Sequence, residues 1–329
     1  MEKIIQPTED FQVLVRCYTY NHGPYIEDAL KGFVMQKTDF KFCALIIDDC
    51  STDNTAEIIR RYEHQYPQTI KGVYLKENYY TRPNEKLAMI QPWRDCCKYE
   101  AMCEGDDFWT DPLKLQKEYD YLEAHPEKSL VYTDCNVLFH EENILKENVF
   151  TSGFFKKTHN YKDFFLEAKY LVPCSWVYRP QEFPDKEIPT FATDGTLFIA
   201  FHFLVRDKVG YIDETTCTYR VVHGSASHSD DMIKRYDYLK GVFKTEKQFL
   251  IEYDSFFSEE DMFCLYKKRY NDLTPFAVAF NDEDLLKEIR EFRPQAIRLR
   301  NRLMLWLSWL PPVRWFIYKR LNEGIKKGL

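Results

Sequence analysis

Glycine is scarce in this chain. Only 11 of 329 residues are glycine, and no two stand at G-x-G or G-x-x-x-x-G spacing. The dinucleotide fingerprint and the P-loop need those spacings, because backbone must approach phosphate closely there. Gly324 and Gly328 are four apart, yet Lys326 stands where a nucleophile elbow carries its serine. The zinc-protease pattern H-E-x-x-H is also missing. Nicotinamide dehydrogenases, P-loop kinases, α/β-hydrolases and zincins are disfavoured together. No C-x-x-C pair occurs either, and ten cysteines, about 3% of the chain, are too sparse for a disulfide scaffold. Cys17, Cys43 and Cys103 lie in or beside apolar runs, where a thiol acts as a small hydrophobe. These counts point to a reducing, cytoplasmic compartment. Met1 to Asp10 has no apolar signal core, and no stretch of about 18 uncharged apolar residues exists to span a membrane. With a net charge of −7, the chain lacks the overall basic balance of a nucleic-acid binder.

Hydrophobic residues make up 45% and charged ones 29%, which excludes disorder and allows a sizeable core. Strand and helix signals alternate through the first 135 residues. Val13-Leu14-Val15 opens a strand that runs into the polar stretch Tyr18–Pro24. A helix follows, with Tyr25, Ile26, Ala29, Leu30, Phe33 and Val34 on one face. Phe42–Ile47 is wholly apolar, as in a buried parallel strand, and stops at Asp48-Asp49. A second helix, a strand over Gly72–Leu75 and a helix between Glu85 and Lys98 come next. Ala101-Met102-Cys103 then forms a strand ending at Glu104-Gly105-Asp106-Asp107. Asp111-Pro112 is read as a helix start, and Leu130 begins another strand. Such alternation predicts a mostly parallel sheet covered on both faces. Further on, Phe198–Val205 is expected to be helix, Tyr211–Tyr219 extended, and the chain beyond 230 helical.

Two acidic clusters therefore stand where apolar strands end, and in open parallel sheets the crevice beyond those ends is the ligand site. Adjacent carboxylates repel one another and are tolerated where a cation or hydrogen-bond donors neutralise them. Glu104 and Asp106, flanking Gly105, present oxygens suited to one hard divalent ion that also takes substrate phosphates. Against this, Ser51, Thr52 or Asp53 can act merely as helix caps.

The segments Val13–Asn21, Ile-Ile-Asp-Asp-Cys-Ser-Thr-Asp-Asn-Thr (46–55) and Cys-Glu-Gly-Asp-Asp-Phe-Trp-Thr-Asp-Pro (103–112) resemble bacterial family 2 glycosyltransferases of the GT-A fold. The resemblance covers about residues 10–225. It implies an α/β, Rossmann-like sheet flanked by helices, with a GT-A domain over 1–228 and a helical C-terminal region over 229–329. It further implies inverting transfer of a sugar from a nucleoside-diphosphate sugar to a glycan or lipid-linked hydroxyl, in cell-surface polysaccharide or lipopolysaccharide synthesis. By that likeness Thr19, Tyr20 and Asn21 meet base and ribose, Asp49 accepts from the base with Asp48 in support, and Glu104 lies near the ribose. Asp106 would bind Mn²⁺ or Mg²⁺ and the diphosphate, although Glu104 departs from the family's usual first acid. Asp107 and Trp109 would floor the sugar region. Asp194, in Thr193-Asp194-Gly195, matches the general base, with helix capping as the plain alternative. Tyr219–Ser227 resembles the segment that closes the site, so His223 would touch metal or diphosphate. Tyr79 and Tyr80 are candidate cleft aromatics. Arg82 and Lys86 are read as contacts to base or phosphate, or as solvated charges.

Two other readings compete. A sugar-phosphate nucleotidyltransferase would carry glycines and basic residues after the first strand, and Tyr18–Pro24 has one Gly and no Lys or Arg. A non-catalytic binding protein would not need both acidic clusters. Finally, residues 290–329 hold ten Lys/Arg against two Glu, a local charge of +8, so the remainder carries −15. This basic tail contains Met304–Leu310 and Trp315–Tyr318, which fit an interfacial segment on the anionic inner face of the plasma membrane. Packing of the same apolar face on the domain is the alternative.

Overall fold

The computed structural model describes residues 7, 10–155, 157–158, 160–166, 171–183, 188–189, 191–192, 194–225, 229–292 and 294–325. In chain order the N-terminal elements are β1 (Val13–Thr19), α1 (Ile26–Val34), β2 (Phe42–Asp48), α2 (Thr55–Gln65), β3 (Ile70–Tyr74), α3 (Pro83–Arg94), β4 (Tyr99–Met102), β5 (Phe108–Trp109) and α4 (Lys114–Ala124). There follow β6 (Leu130–Phe139), β7 (Ile144–Lys146), α5 (Tyr161–Leu166), β8 (Trp176–Tyr178), α6 (Thr196–Leu204) and β9 (Val209–Val221). The C-terminal helices are α7 (Met232–Glu252), α8 (Glu259–Phe280), α9 (Glu283–Glu291), α10 (Leu299–Leu307) and α11 (Pro311–Ile325).

Among the described residues the strands join one sheet in the order β3-β2-β1-β4-β8-β6-β9-β5, with β7 on β6. The first four are parallel, as the alternation predicts. Beyond β4 the sheet is mixed: β8 runs antiparallel to β4 and β6, while β9 is parallel to β6 with a bulge near Asp134. β1 and β2 are buried nearly end to end, which explains their unbroken apolar sequence. Leu14, Leu45, Ile47 and Val73 pack with Ile90 and Trp93 of α3 on one face. The exception in β1 is Arg16, whose Nε meets Glu100 Oε1 at 2.5 Å, while Arg94 Nε meets Oε2 at 2.7 Å. Glu100 is fully buried, and two guanidinium groups offset the cost of removing its charge from water. Cys17, Cys43 and Cys103 are buried free thiols, as their apolar neighbours imply.

Contacts divide the chain into two compact units. The first comprises Met1–Phe164, Lys169–Thr190 and Gly195–Val222; the second comprises Phe165–Ala168, Phe191–Asp194 and His223–Leu329. The second has its own core, in which Tyr236, Phe243, Tyr270, Leu273, Val278, Leu286 and Ile317 pack together. Its longest helix, α8, starts at a reciprocal cap between Ser258 and Asp261 and stops at Asn281, whose φ of 53° is left-handed. Among the described residues no helix is long and apolar enough to cross a membrane.

Candidate nucleotide and metal site

The carboxyl end of β1 organises the site. Asp49 N–H donates to the Thr19 carbonyl at 2.9 Å, and Gly105 N–H donates to the Tyr18 carbonyl at 2.9 Å. The two acidic turns, 56 residues apart in sequence, thus bind consecutive residues of one strand and flank it on either side. The loop after β1 closes the same end. Asn21, left-handed at φ 54°, donates its N–H to Ser51 Oγ at 2.8 Å and accepts from Thr52 N at 2.8 Å. The capping alternative falls to Asp53 alone, which accepts from Thr55 N at 3.0 Å and from Gly23 N at 2.9 Å. Ser51 and Thr52 instead fasten the first loop to the second.

Asp49 is buried, and both its oxygens are held: Oδ1 by Tyr79 N at 2.7 Å and Oδ2 by Lys86 Nζ at 2.9 Å. Lys86 also lies over the Tyr18 ring, 4.5 Å from its centroid, so it is neither a solvated charge nor open to phosphate. An ionised carboxylate has about four acceptor positions, so two remain on Asp49. Lys86→Met breaks this buried pair and is expected to cost about 3 kcal/mol of stability, measurable by denaturant melts. Asp48 is buried behind it; burial raises its carboxyl above the usual range, opposed by a hydrogen bond from Ser51. Tyr79 belongs to the core rather than the cleft, with Arg82 3.9 Å above its ring. Tyr80 and Tyr20 are exposed. Arg82 is taken up by Glu77, at 3.1 Å, and by Glu85.

The second turn is anchored from behind. Asp107 is buried, and its Oδ1 accepts from Arg220 N at 2.8 Å. Burial, and then the neighbouring Asp106 charge, push its carboxyl well up. Trp109 is also buried, donates Nε1 to the Cys174 carbonyl at 3.0 Å and meets Phe33 edge-on. Asp107 and Trp109, expected in the sugar region, are thus buried side chains that support the turn. Arg220 completes the support. Its Nη1 donates to the Asp106 carbonyl at 2.8 Å and its Nη2 to Asp28 Oδ2, on α1, at 2.7 Å. The sequence placed Arg220 near the site but not this role.

Asp106 itself keeps its carboxylate partly open, with His22 Nε2 at 3.9 Å. His22 was missed; its only signal is a place in the loop between Asn21 and Gly23. The implied divalent ion is tested against this turn. A Cβ on Gly105 would stand 2.7 Å from Thr19 Oγ1 and 2.9 Å from His22 Nδ1, and both atoms are buried without a partner among the described residues. Bare glycine thus lets two orphaned polar atoms pack directly against the turn, beside a hard oxygen donor. Among the described residues no third protein ligand closes a set around Asp106. That suits Mg²⁺ or Mn²⁺, which take one or two carboxylates and complete their shell with phosphate and water. The residues fit the ion. Gly105→Ala is expected to shift the turn and weaken nucleotide binding at least about tenfold by calorimetry, while losing only about 1–3 kcal/mol of stability.

Asp194 lies in the second unit, just before α6, whose cap is Gly195. Asp194 accepts a long 3.4 Å hydrogen bond from Tyr238 Oη. His223 follows β9 by two residues and is half-buried in the second unit. Glu104 is half-buried at the turn. Thr193, Ala226 and Ser227 lie outside the described residues.

A mixed sheet whose parallel strands end in acidic turns is the GT-A arrangement. The family model described as glycosyl transferase family 2 matches residues 17–181, half the chain, and the chain belongs to that family. Among relatives, an uncharacterised protein of Mycobacterium tuberculosis, Rv1520, is 33% identical over 202 residues, 61% of this chain and 56% of that protein. The chain thus spans little more than half the length of the mycobacterial relative. A putative teichuronic acid biosynthesis glycosyltransferase of Bacillus subtilis, TuaG, is 33% identical over 106 residues, 32% of this chain and 39% of that one. Among solved structures, Staphylococcus aureus TarS 1–349 in complex with UDP superposes with a TM-score of 0.55 at 16% identity, covering 97% of this chain and 92% of that one. The mannosyltransferase PcManGT of Pyrobaculum calidifontis, in complex with GDP-Man and Mn²⁺, gives 0.53 at 16%, covering 98% and 88%. At such identity these structures establish the fold.

Proposed function

We propose that the chain is a metal-dependent, inverting glycosyltransferase that moves a sugar from a nucleoside diphosphate to an acceptor hydroxyl. One observation carries the reading: both acidic turns are hydrogen-bonded to the end of β1, beside two buried polar atoms, Thr19 Oγ1 and His22 Nδ1, that have no partner among the described residues. In this reading Thr19, Tyr20 and Asn21 receive base and ribose, Glu104 the ribose, and Asp49, held by Tyr79 and Lys86, offers its remaining lone pairs to the base. Asp106, with His223 assigned to the same role, would hold a divalent ion, which would supply positive charge toward the departing diphosphate. Arg220 keeps the Asp106 backbone fixed, so its carboxylate is pre-oriented when charge develops nearby. Asp194 takes the proton from the acceptor hydroxyl as that oxygen attacks. Attack opposite the leaving group inverts the anomeric carbon.

Family membership and the name of the Bacillus relative support an acceptor in cell-surface polysaccharide, either glycan or lipid-linked. The decisive experiment is a screen of nucleoside-diphosphate sugars with Mn²⁺, identifying the nucleotide released. Release of a nucleoside diphosphate from one donor class is expected. Release of pyrophosphate from a nucleoside triphosphate and a sugar phosphate would instead make the chain a nucleotidyltransferase.

A further inference from the structure

α10 and α11 each divide into an inner and an outer stripe. On α10, Asn301 is buried and Met304 and Leu305 pack inward, while Leu299, Leu303 and Trp306 are exposed at helical spacing. On α11, Val313, Ile317 and Leu321 turn to the core of the second unit, and Trp315, Phe316 and Tyr318 face outward. Trp306 and Trp309 are 73% and 71% exposed, and Trp315 is 64%. Large aromatics left this open are a standing cost in water unless something covers them. The alternative in which the whole apolar face of the tail packs on the domain therefore does not hold: Met304, Leu305, Val313, Ile317 and Leu321 pack inward, while Leu299, Leu303 and the tryptophans remain outside.

The same stretch supplies cations. Arg298, Arg300, Arg302, Lys319 and Arg320 are exposed, and none has an acidic partner among the described residues. Lys319 lies over Trp315 and Arg320 over Phe316, with 5.6 and 5.7 Å to the ring centroids. Amphipathic rings interleaved with unpaired cations match the headgroup region of an anionic bilayer, where the ring enters the interface and the cation meets lipid phosphate. Pairing of this stripe with the same stripe of a second copy is disfavoured, because both carry positive charge.

We propose that the outer faces of α10 and α11 form a peripheral membrane-docking surface for anionic phospholipid, of the kind found on a cytoplasmic leaflet. The basic tail, at +8 against −15 for the remainder, supplies the charge that an anionic surface attracts.

The test is co-sedimentation of the full chain with vesicles of phosphatidylglycerol and phosphatidylcholine, and with phosphatidylcholine alone. Binding is expected to the anionic vesicles only and to be released by 0.5 M salt, an electrostatic signature. Arg298, Arg300 and Arg302 replaced together by Gln should lower partitioning about 100-fold, at about fivefold for each charge. Trp306→Ser with Trp309→Ser should also abolish pelleting, with unchanged melting because both rings are exposed. Failure of the full chain to pellet with anionic vesicles at low salt overturns the proposal. So does equal binding to neutral vesicles, or a tryptophan variant that binds like the parent. Sedimentation velocity on the same samples covers the self-association case: a mass halved by the tryptophan changes, with no effect on vesicles, makes this a dimer face. Vesicle binding is read without any sugar donor, so either outcome leaves the transfer reading standing on its own test.

Discussion

Asp106→Asn is expected to lower sugar transfer by about 10²–10³-fold, the usual size of losing one preorganised electrostatic contact to developing charge. The substitution is informative because the turn does not depend on the carboxylate. Arg220 holds the Asp106 backbone carbonyl, and Gly105 N–H holds Tyr18, so neither anchor changes with the side chain. Stability should stay within about 0.5 kcal/mol, as for other partly open surface positions. Mn²⁺-dependent binding of the nucleoside diphosphate should fall in parallel. A variant that loses activity but binds metal and nucleotide normally would move the role of Asp106 from charge stabilisation to some other step.

Asp194→Asn is expected to cost about 10²–10⁴-fold in transfer, the range for loss of a general base. The amide keeps the shape and an oxygen able to accept from Tyr238, so the local hydrogen bond persists. Nucleotide affinity should not change, since the base acts on the acceptor and not on the donor. A kcat loss at constant donor KM is therefore the pattern to look for. Full transfer by the variant with the true donor and acceptor removes Asp194 from the chemistry.

Much of the site was legible because it is written locally. β1 and β2 are apolar runs cut off by polar turns, and a run that stops at Asp48-Asp49 or Glu104–Asp107 marks both a buried strand and its carboxyl end. The chain beyond 230 was legible as helical, and the structure forms α7 to α11 there. What could not be read is supplied by partners far along the chain. Glu100 looks like an ordinary surface acid until Arg16, 84 residues earlier, and Arg94 enclose it. Asp107 and Trp109 resemble ligand-facing residues by motif, and the partners that bury them, Arg220, Phe33 and Cys174, lie far along the chain. Lys86 and Tyr79 illustrate the same limit: the sequence gives no sign that a tyrosine of the polar loop before α3 joins the core, or that a lysine in the first turns of α3 locks Asp49. β5, with two residues, is too short to produce an alternation. The mixed half of the sheet was missed because antiparallel β8 has only three residues, Trp176–Tyr178, set among prolines.

The account depends on Asp49 and Asp106 serving one bound nucleotide. Isothermal titration of the nucleoside diphosphate identified by the donor screen, with Mn²⁺, into the parent chain, Asp49→Asn, Asp106→Asn and the double variant tests this directly. Each single change should weaken binding by at least about tenfold, and the double variant should lose less than the two together, as expected for groups acting on one ligand. Parent-like affinity in either folded single variant would contradict it.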